Sequence, residues 1–119
     1  MSEPLRVLFV CAMNKRRSVT AERLYRNDAR LQVRSAGLRS DAPRRVSEAD
    51  LEWAEVVYAM EREHAAQLKQ RFGAIGLPHI EVLDVPDDFE CMDPELQEIL
   101  RLTLDPDLDA RVAAKADSA

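Results

Sequence analysis

VLFVCAMNKRRSVTAERLY, residues 7–25, changes character twice along its length. Arg6 to Val10 (RVLFV) is an almost continuous apolar run, as a strand buried on both faces of a parallel sheet requires. From Ser18 to Tyr25 the spacing turns helical, with Val19, Leu24 and Tyr25 on one face. Between them lies CAMNKRRS, Cys11 to Ser18, at a strand's carboxyl end, where open α/β sheets bind ligands. Loop amides followed by a helix N-terminus form a ready anion site.

The same alternation continues outward. Leu31 to Ala36 predicts a second strand stopped by Gly37, and Ser47 opens a short helix with Asp50 in its first turn. Glu55 to Met60 predicts a third strand and Glu61 to Phe72 a helix, with Leu68 and Phe72 paired at i, i+4 and Gly73 as its stop. Ile80 to Val85 predicts a fourth strand. Asp93-Pro94 reads as an N-cap and first-turn proline, opening a helix with Leu96, Ile99, Leu100 and Thr103 on one side. This order predicts an α/β fold: a three-layer α/β/α arrangement on a four-stranded parallel sheet, with a phosphate-binding loop after the first strand. Residues 1–119 are read as one domain. After Asp105-Pro106 the apolar pattern thins, so 106–119 is expected to be a peripheral tail, frayed from Ala113 to Ala119.

With 46% hydrophobic and 33% charged residues, a 119-residue chain can bury one core and has no need of disorder. A net charge of -5 argues against a nucleic-acid partner, which needs a cationic surplus. The positive charge is nevertheless clustered, at Lys15, Arg16 and Arg17 and again at Arg39, Arg44 and Arg45, so an anionic substrate of limited size is expected. There is no apolar run long enough to span a membrane, and Met1 to Pro4 has no secretory pattern, which sets the expectation of a cytoplasmic protein. Two cysteines, Cys11 and Cys91, allow neither a disulfide scaffold nor a four-ligand zinc site, and neither metal nor cofactor is expected.

Within the loop, residue chemistry assigns roles. A thiolate at Cys11 can attack phosphorus and form a phosphocysteine; helix-end amides and a nearby guanidinium favour that charged sulfur. Arg17 supplies a planar fork for two phosphoryl oxygens, which lysine cannot reproduce. The amides of Ala12, Met13, Asn14, Lys15, Arg16 and Arg17 would stabilise charge on those oxygens, and Ser18 can assist departure of the sulfur. A buried core thiol is the bland account of a lone cysteine; the strand-to-helix placement with Arg17 and Ser18 outweighs it.

VLFVCAMNKRRSVTAERLY resembles the N-terminal signature of the low-molecular-weight protein tyrosine phosphatases, C-x-x-N-x-x-R-S after the first strand. The resemblance is sharp over about the first 25 residues and extends in outline to VVYAME. It implies a cysteine-dependent phosphomonoester hydrolase, of the protein tyrosine phosphatase type, acting on a phosphorylated protein or small phosphomonoester. It also implies that Asn14 braces the loop, with Ser35 of RSAG supplying the partner.

The family places its general acid at the end of the fourth strand. In LDVPDDF, Asp84 is the first choice and Asp87, after Pro86, the rival; turn formation is the competing account of both. Three departures stand out. Met13 replaces a usual glycine, the chain is shorter than typical members, and aromatic walls for a phosphotyrosine ring are missing from LRSDAPRRV and reduced to Phe89 near DVPDDF. Arg39, Arg44 and Arg45 would then serve an acidic substrate or simply form a solvated loop. Two other functions fit the same loop: an arsenate reductase relying on an external thiol, since only Cys91 accompanies Cys11, and a phosphate-binding module without turnover. Trp53 reads as core, and His64 and His79 as surface or hydrogen-bonded histidines without metal spacing.

Overall fold

A computed structural model describes residues 3–118; Met1, Ser2 and Ala119, parts of the N-terminal and tail segments read above, lie outside it. The elements are β1 (Leu5–Cys11), α1 (Arg17–Tyr25), β2 (Leu31–Gly37), α2 (Glu48–Trp53), β3 (Val56–Ala59), α3 (Arg62–Phe72), β4 (His79–Val82) and α4 (Pro94–Asp117). The four strands form one parallel sheet in the order β2-β1-β3-β4. The chain moves from β1 outward to β2 and then returns to β3 on the other side of β1. Cys11 therefore ends a central strand beside the reversal of strand order, the place where such sheets open a crevice.

Successive side chains of β1 supply both layers of the core. Val7, Phe9 and Cys11 join Tyr58, Met60, Ala21, Tyr25 and the leucines of α4 on one face, while Leu8 and Val10 join Leu38, Val46, Leu51, Val57 and Leu68 on the other. Helices α1 and α4 thus cover one side of the sheet and α2 and α3 the other, giving the three layers expected from the alternation of elements. Ser47 caps α2 as its sequence suggests: its hydroxyl accepts from the Asp50 amide, and Asp50 accepts from the Ser47 amide in return. Trp53 is half-buried, with the Arg34 guanidinium 4.0 Å above its ring.

The expected tail is a correction. Helix α4 runs on through Pro106 to Asp117, and Leu96, Leu100, Leu104 and Leu108 are all buried along one stripe. Spacing at i, i+4 carries this stripe past the proline, and Val112 continues it against the same core. Thr103 is exposed rather than on the inner face; its hydroxyl bonds the Ile99 carbonyl. Tyr25 and Tyr58 explain why the charged stretch stays docked, since their hydroxyls donate to Asp105 and Asp107 at 2.5 Å. Burial and those carboxylates together raise both phenols well above their usual range. No helix of the described residues is long and apolar enough to cross a membrane.

Candidate active site

Cys11 closes β1 and the chain then turns through residues 12–16 into α1. Helix α1 starts without a side-chain cap and without an acidic residue in its first turn, so its leading amides remain available to an anion. The backbone N–H groups of Met13, Lys15 and Arg16 find no acceptor among the described residues. The loop rests on β2 at Gly37. A Cβ there would lie 2.6 Å from Ala42 Cβ, 2.8 Å from the Ala12 oxygen and 2.9 Å from the Met13 carbonyl carbon, which only glycine avoids.

The sulfur is held as a hydrogen-bond acceptor. The Asn14 backbone N–H donates to Cys11 Sγ at 3.2 Å, and Ser18 Oγ lies 2.9 Å from it. The Asn14 side-chain amide donates to that same Ser18 oxygen at 3.0 Å, which leaves the hydroxyl proton to point at sulfur. Hydrogen bonds of this kind would stabilise a negative charge on sulfur. Asn14, Arg17 and Ser18 are all buried, so these contacts act with little solvent screening.

Asn14 reaches this position in a left-handed conformation, φ 56°, which asparagine tolerates. Met13 thus needs no positive φ where a glycine was expected. The brace itself is a correction: Asn14 bonds Ser18, whereas the Ser35 hydroxyl donates to Glu22 of α1. Ser35 pairs with Phe9, two residues below the Cys11–Gly37 level, so it lies roughly 6.5 Å down the strand from the loop.

Arg17 is the first residue of α1 and is almost wholly buried. Its Nη1 donates to Glu61 Oε2 at 2.6 Å and to the Val85 carbonyl at 2.7 Å. Its Nε lies 3.7 Å from Asp87 Oδ1. Arg17 lowers the Glu61 carboxyl below its ordinary range through the hydrogen bond and its charge. Cys11, Ala12, Met13, Lys15, Arg16, Arg17 and Asp87 line one cleft of ≈ 280 Å³.

The two candidate acids are placed in different depressions. Asp84, the first choice from the sequence, is exposed and lines a different depression with Glu61, Arg62, Glu63, Val85 and Pro86. The strand ends at Val82, Val85 then enters the core with its N–H on the Met60 carbonyl, and Asp84 before it adopts φ 55° and turns outward. The chain meets Arg17 at the Val85 carbonyl, and after Pro86 it brings Asp87 into the cleft that Cys11 also lines. Glu61 was missed altogether. Its place directly after the third strand, where ligand sites gather, was the available signal.

The remaining candidates fall outside the cleft. Cys91 is a free thiol that accepts from Thr20 at 3.8 Å and Arg23 at 3.7 Å, along α1 rather than beside Cys11. Arg39 pairs with Asp41 on the surface, and Arg44 reaches the buried Asp50. His79 is exposed and pairs with Glu81; His64 is buried and accepts from the Glu61 N–H. Among the described residues no group of three or more His, Cys, Asp or Glu is placed to hold a metal.

Solved structures place this architecture. YfkJ from Bacillus subtilis superposes with a TM-score of 0.74 at 22% identity, over 95% of this chain and 98% of that one. A low-molecular-weight protein tyrosine phosphatase from Bacillus subtilis does so at 0.69 and 25%, over 89% and 98%. The fold is that of the low-molecular-weight protein tyrosine phosphatases. This phosphatase fold also includes the YwlE arginine phosphatase from Geobacillus stearothermophilus, with a TM-score of 0.64 at 23% identity over 89% and 95% of the two chains. A mutant YwlE arginine phosphatase, at 0.65 and 22% over 91% and 99%, carries a phosphorylated active-site serine. No family model matches the chain, and neither does any curated protein.

Proposed function

We propose that this chain is a cysteine-dependent phosphomonoester hydrolase of the protein tyrosine phosphatase type. Cys11 is its nucleophile, Arg17 the phosphate clamp and Asp87 the general acid. One observation carries the reading: Cys11 Sγ accepts from the Asn14 N–H and lies 2.9 Å from Ser18 Oγ in a cleft that Arg17 and Asp87 also line. The acid-loop geometry and the phosphatases that share this fold support it.

The chemistry proceeds in two displacements. Sulfur attacks phosphorus as the ester P–O bond breaks, and Asp87 gives its proton to the departing oxygen. Loop amides and the free edge of Arg17 carry the charge on the equatorial oxygens. Water then attacks the phosphocysteine, Asp87 takes the water's proton, and the S–P bond breaks with the Ser18 hydroxyl donating to the released thiolate. A phosphorylated protein or a small phosphomonoester is the substrate class. The cleft lining offers Met13 and the stems of Lys15 and Arg16 to the leaving group, and no aromatic side chain. The nucleophile works only reduced, and the cytoplasm is the compartment we assign to it.

Hydrolysis of a generic aryl phosphate tests this directly. Cys11→Ser should lower kcat by on the order of 10⁴-fold or more, as loss of a nucleophile does. Arg17→Lys keeps the charge but loses the fork, and should cost about 10²-fold or more in kcat/KM. Wild-type turnover that survives Cys11→Ser would exclude the phosphocysteine route.

A further inference from the structure

We propose that Lys15 and Arg16 select the substrate: a phosphomonoester that carries a second anionic group a few bonds from its phosphate. The inference deepens the phosphatase reading and rests on it. Both residues are exposed and line the cleft with Cys11, Arg17 and Asp87. Arg17 is buried and already bound to Glu61 and the Val85 carbonyl, so the two exposed cations are additional to the phosphate clamp. Among the described residues the Lys15 ammonium has no carboxylate within ion-pairing distance. Arg16 reaches only Glu90 Oε2, at 3.9 Å and on a side chain 83% exposed, a contact worth little. Arg39 and Arg44, by contrast, are closed by Asp41 at 3.0 Å and Asp50 at 3.1 Å.

The two cations stand on different sides of the mouth. The Asp41 carboxyl is lowered first by its hydrogen bond from Arg39 and last by the charge of Lys15, which puts Lys15 toward the turn after β2. That turn is tied to the loop, since the Arg39 N–H donates to the Ala12 carbonyl at 2.9 Å. Arg16 instead points toward the acid segment at Glu90. Both follow Asn14 directly in the chain, so a group near the phosphorus comes within reach of their flexible stems. The cleft, ≈ 280 Å³, has no aromatic residue in its lining, so ring stacking gives the leaving group no hold and charge is what the rim offers. Asp87, the one carboxylate of the lining, is protonated in its role as acid and does not oppose an anionic leaving group when attack begins. Once ionised by that transfer, it repels the anionic product.

Phenyl phosphate and 3-carboxyphenyl phosphate form the test pair, because a meta carboxylate adds charge while hardly changing the phenol as a leaving group. A tyrosine phosphopeptide flanked by glutamates, against the same peptide flanked by glutamines, shows whether the second anion sits on the leaving group or on a neighbouring residue. Wild type should prefer the more acidic member of at least one pair by about tenfold in kcat/KM, and less as salt rises. Lys15→Gln and Arg16→Gln should each reduce that ratio by about threefold, and the double variant should abolish it. The readout is a ratio, so a loss common to both members, as from a disturbed loop, cancels. A wild type without preference overturns the proposal, as does a double variant that keeps the full ratio. A wild type that hydrolyses no phosphomonoester would instead overturn the hydrolase reading. Calorimetric affinities for phenylphosphonate and 3-carboxyphenylphosphonate would then decide the selectivity: the same preference, lost in the double variant, supports it, and equal affinities overturn it.

Discussion

The two halves of the cleft are built differently. The nucleophile loop, residues 11–18, is held by its own hydrogen bonds among Cys11, Asn14 and Ser18, all buried, on a strand end and a helix start. The acid segment between Val82 and Pro94 contains neither strand nor helix, and distant residues hold it: Met60 takes the Val85 amide, Arg17 the Val85 carbonyl and Thr20 the Met92 amide. On the proposed reading, the contacts to sulfur are local to eight consecutive residues, while Arg17 among them is held by Glu61 and Val85 from elsewhere in the chain. The proposed proton donor, Asp87, is by contrast placed by tertiary contacts and its side chain is exposed.

The sharpest way to break this comparison is to exchange the two aspartates' assignments. Asp87→Asn should reduce hydrolysis of a poor leaving group by about 10²- to 10⁴-fold, the usual worth of a placed proton donor. It should also flatten the alkaline limb of the pH–rate profile, where a proton donor is lost by ionisation. Asp84→Asn should leave both intact. The reverse pattern would return the acid to Asp84 and require the 84–87 turn to rearrange when substrate binds.

A smaller effect sharpens the local half. Ser18→Ala removes the hydroxyl donor to sulfur, and a hydrogen bond to a charged group is worth about 1.5–3 kcal/mol, roughly ten- to a hundredfold in rate. The loss should fall on breakdown of the phosphocysteine, where the thiolate departs. Rapid-mixing kinetics with a good leaving group should then show a stoichiometric burst followed by slow turnover. A variant with wild-type steady-state rate and no burst would remove Ser18 from that step.

The same contrast explains what could be read from the sequence. The alternation of elements, the loop and the spacing of Cys11 and Arg17 follow from contiguous residues, because a period change from strand to helix and a fixed spacing of side chains are local signals. Asp84 looked better than Asp87 because it ends the strand pattern, but burial of Val85 and the turn at Pro86 decide which aspartate returns to the cleft. The proline is visible in the sequence, but the burial of Val85 has no local signature. Glu61 went unnoticed for a related reason: it lies 44 positions from Arg17, and only the β1–β3 pairing brings their segments together. The docked end of α4 was hidden by Pro106, whose helix-breaking tendency is outweighed by Leu108 and the tyrosine–aspartate contacts.

The mildest expected effect concerns acid stability on the assembled side of the site. Burial, and then the positive charge of Arg17, lower the His64 pKa below its ordinary value, against the opposing influence of Glu61, Glu63 and Asp87. The unfolded chain, with a histidine pKa near about 6.5, therefore binds more protons than the folded one just below that pH. Stability rises with pH through that window and is lost as pH falls below it. The slope from this one group is no steeper than about 1.4 kcal/mol per pH unit. Glu61 adds a loss of the same sign at lower pH, since Arg17 holds its carboxyl below the unfolded value. Urea unfolding of wild type between pH 7.5 and 5 should show the decline, and His64→Gln should flatten it above pH 5. If the variant keeps the full slope, another group carries the proton and the buried, neutral state of His64 is wrong.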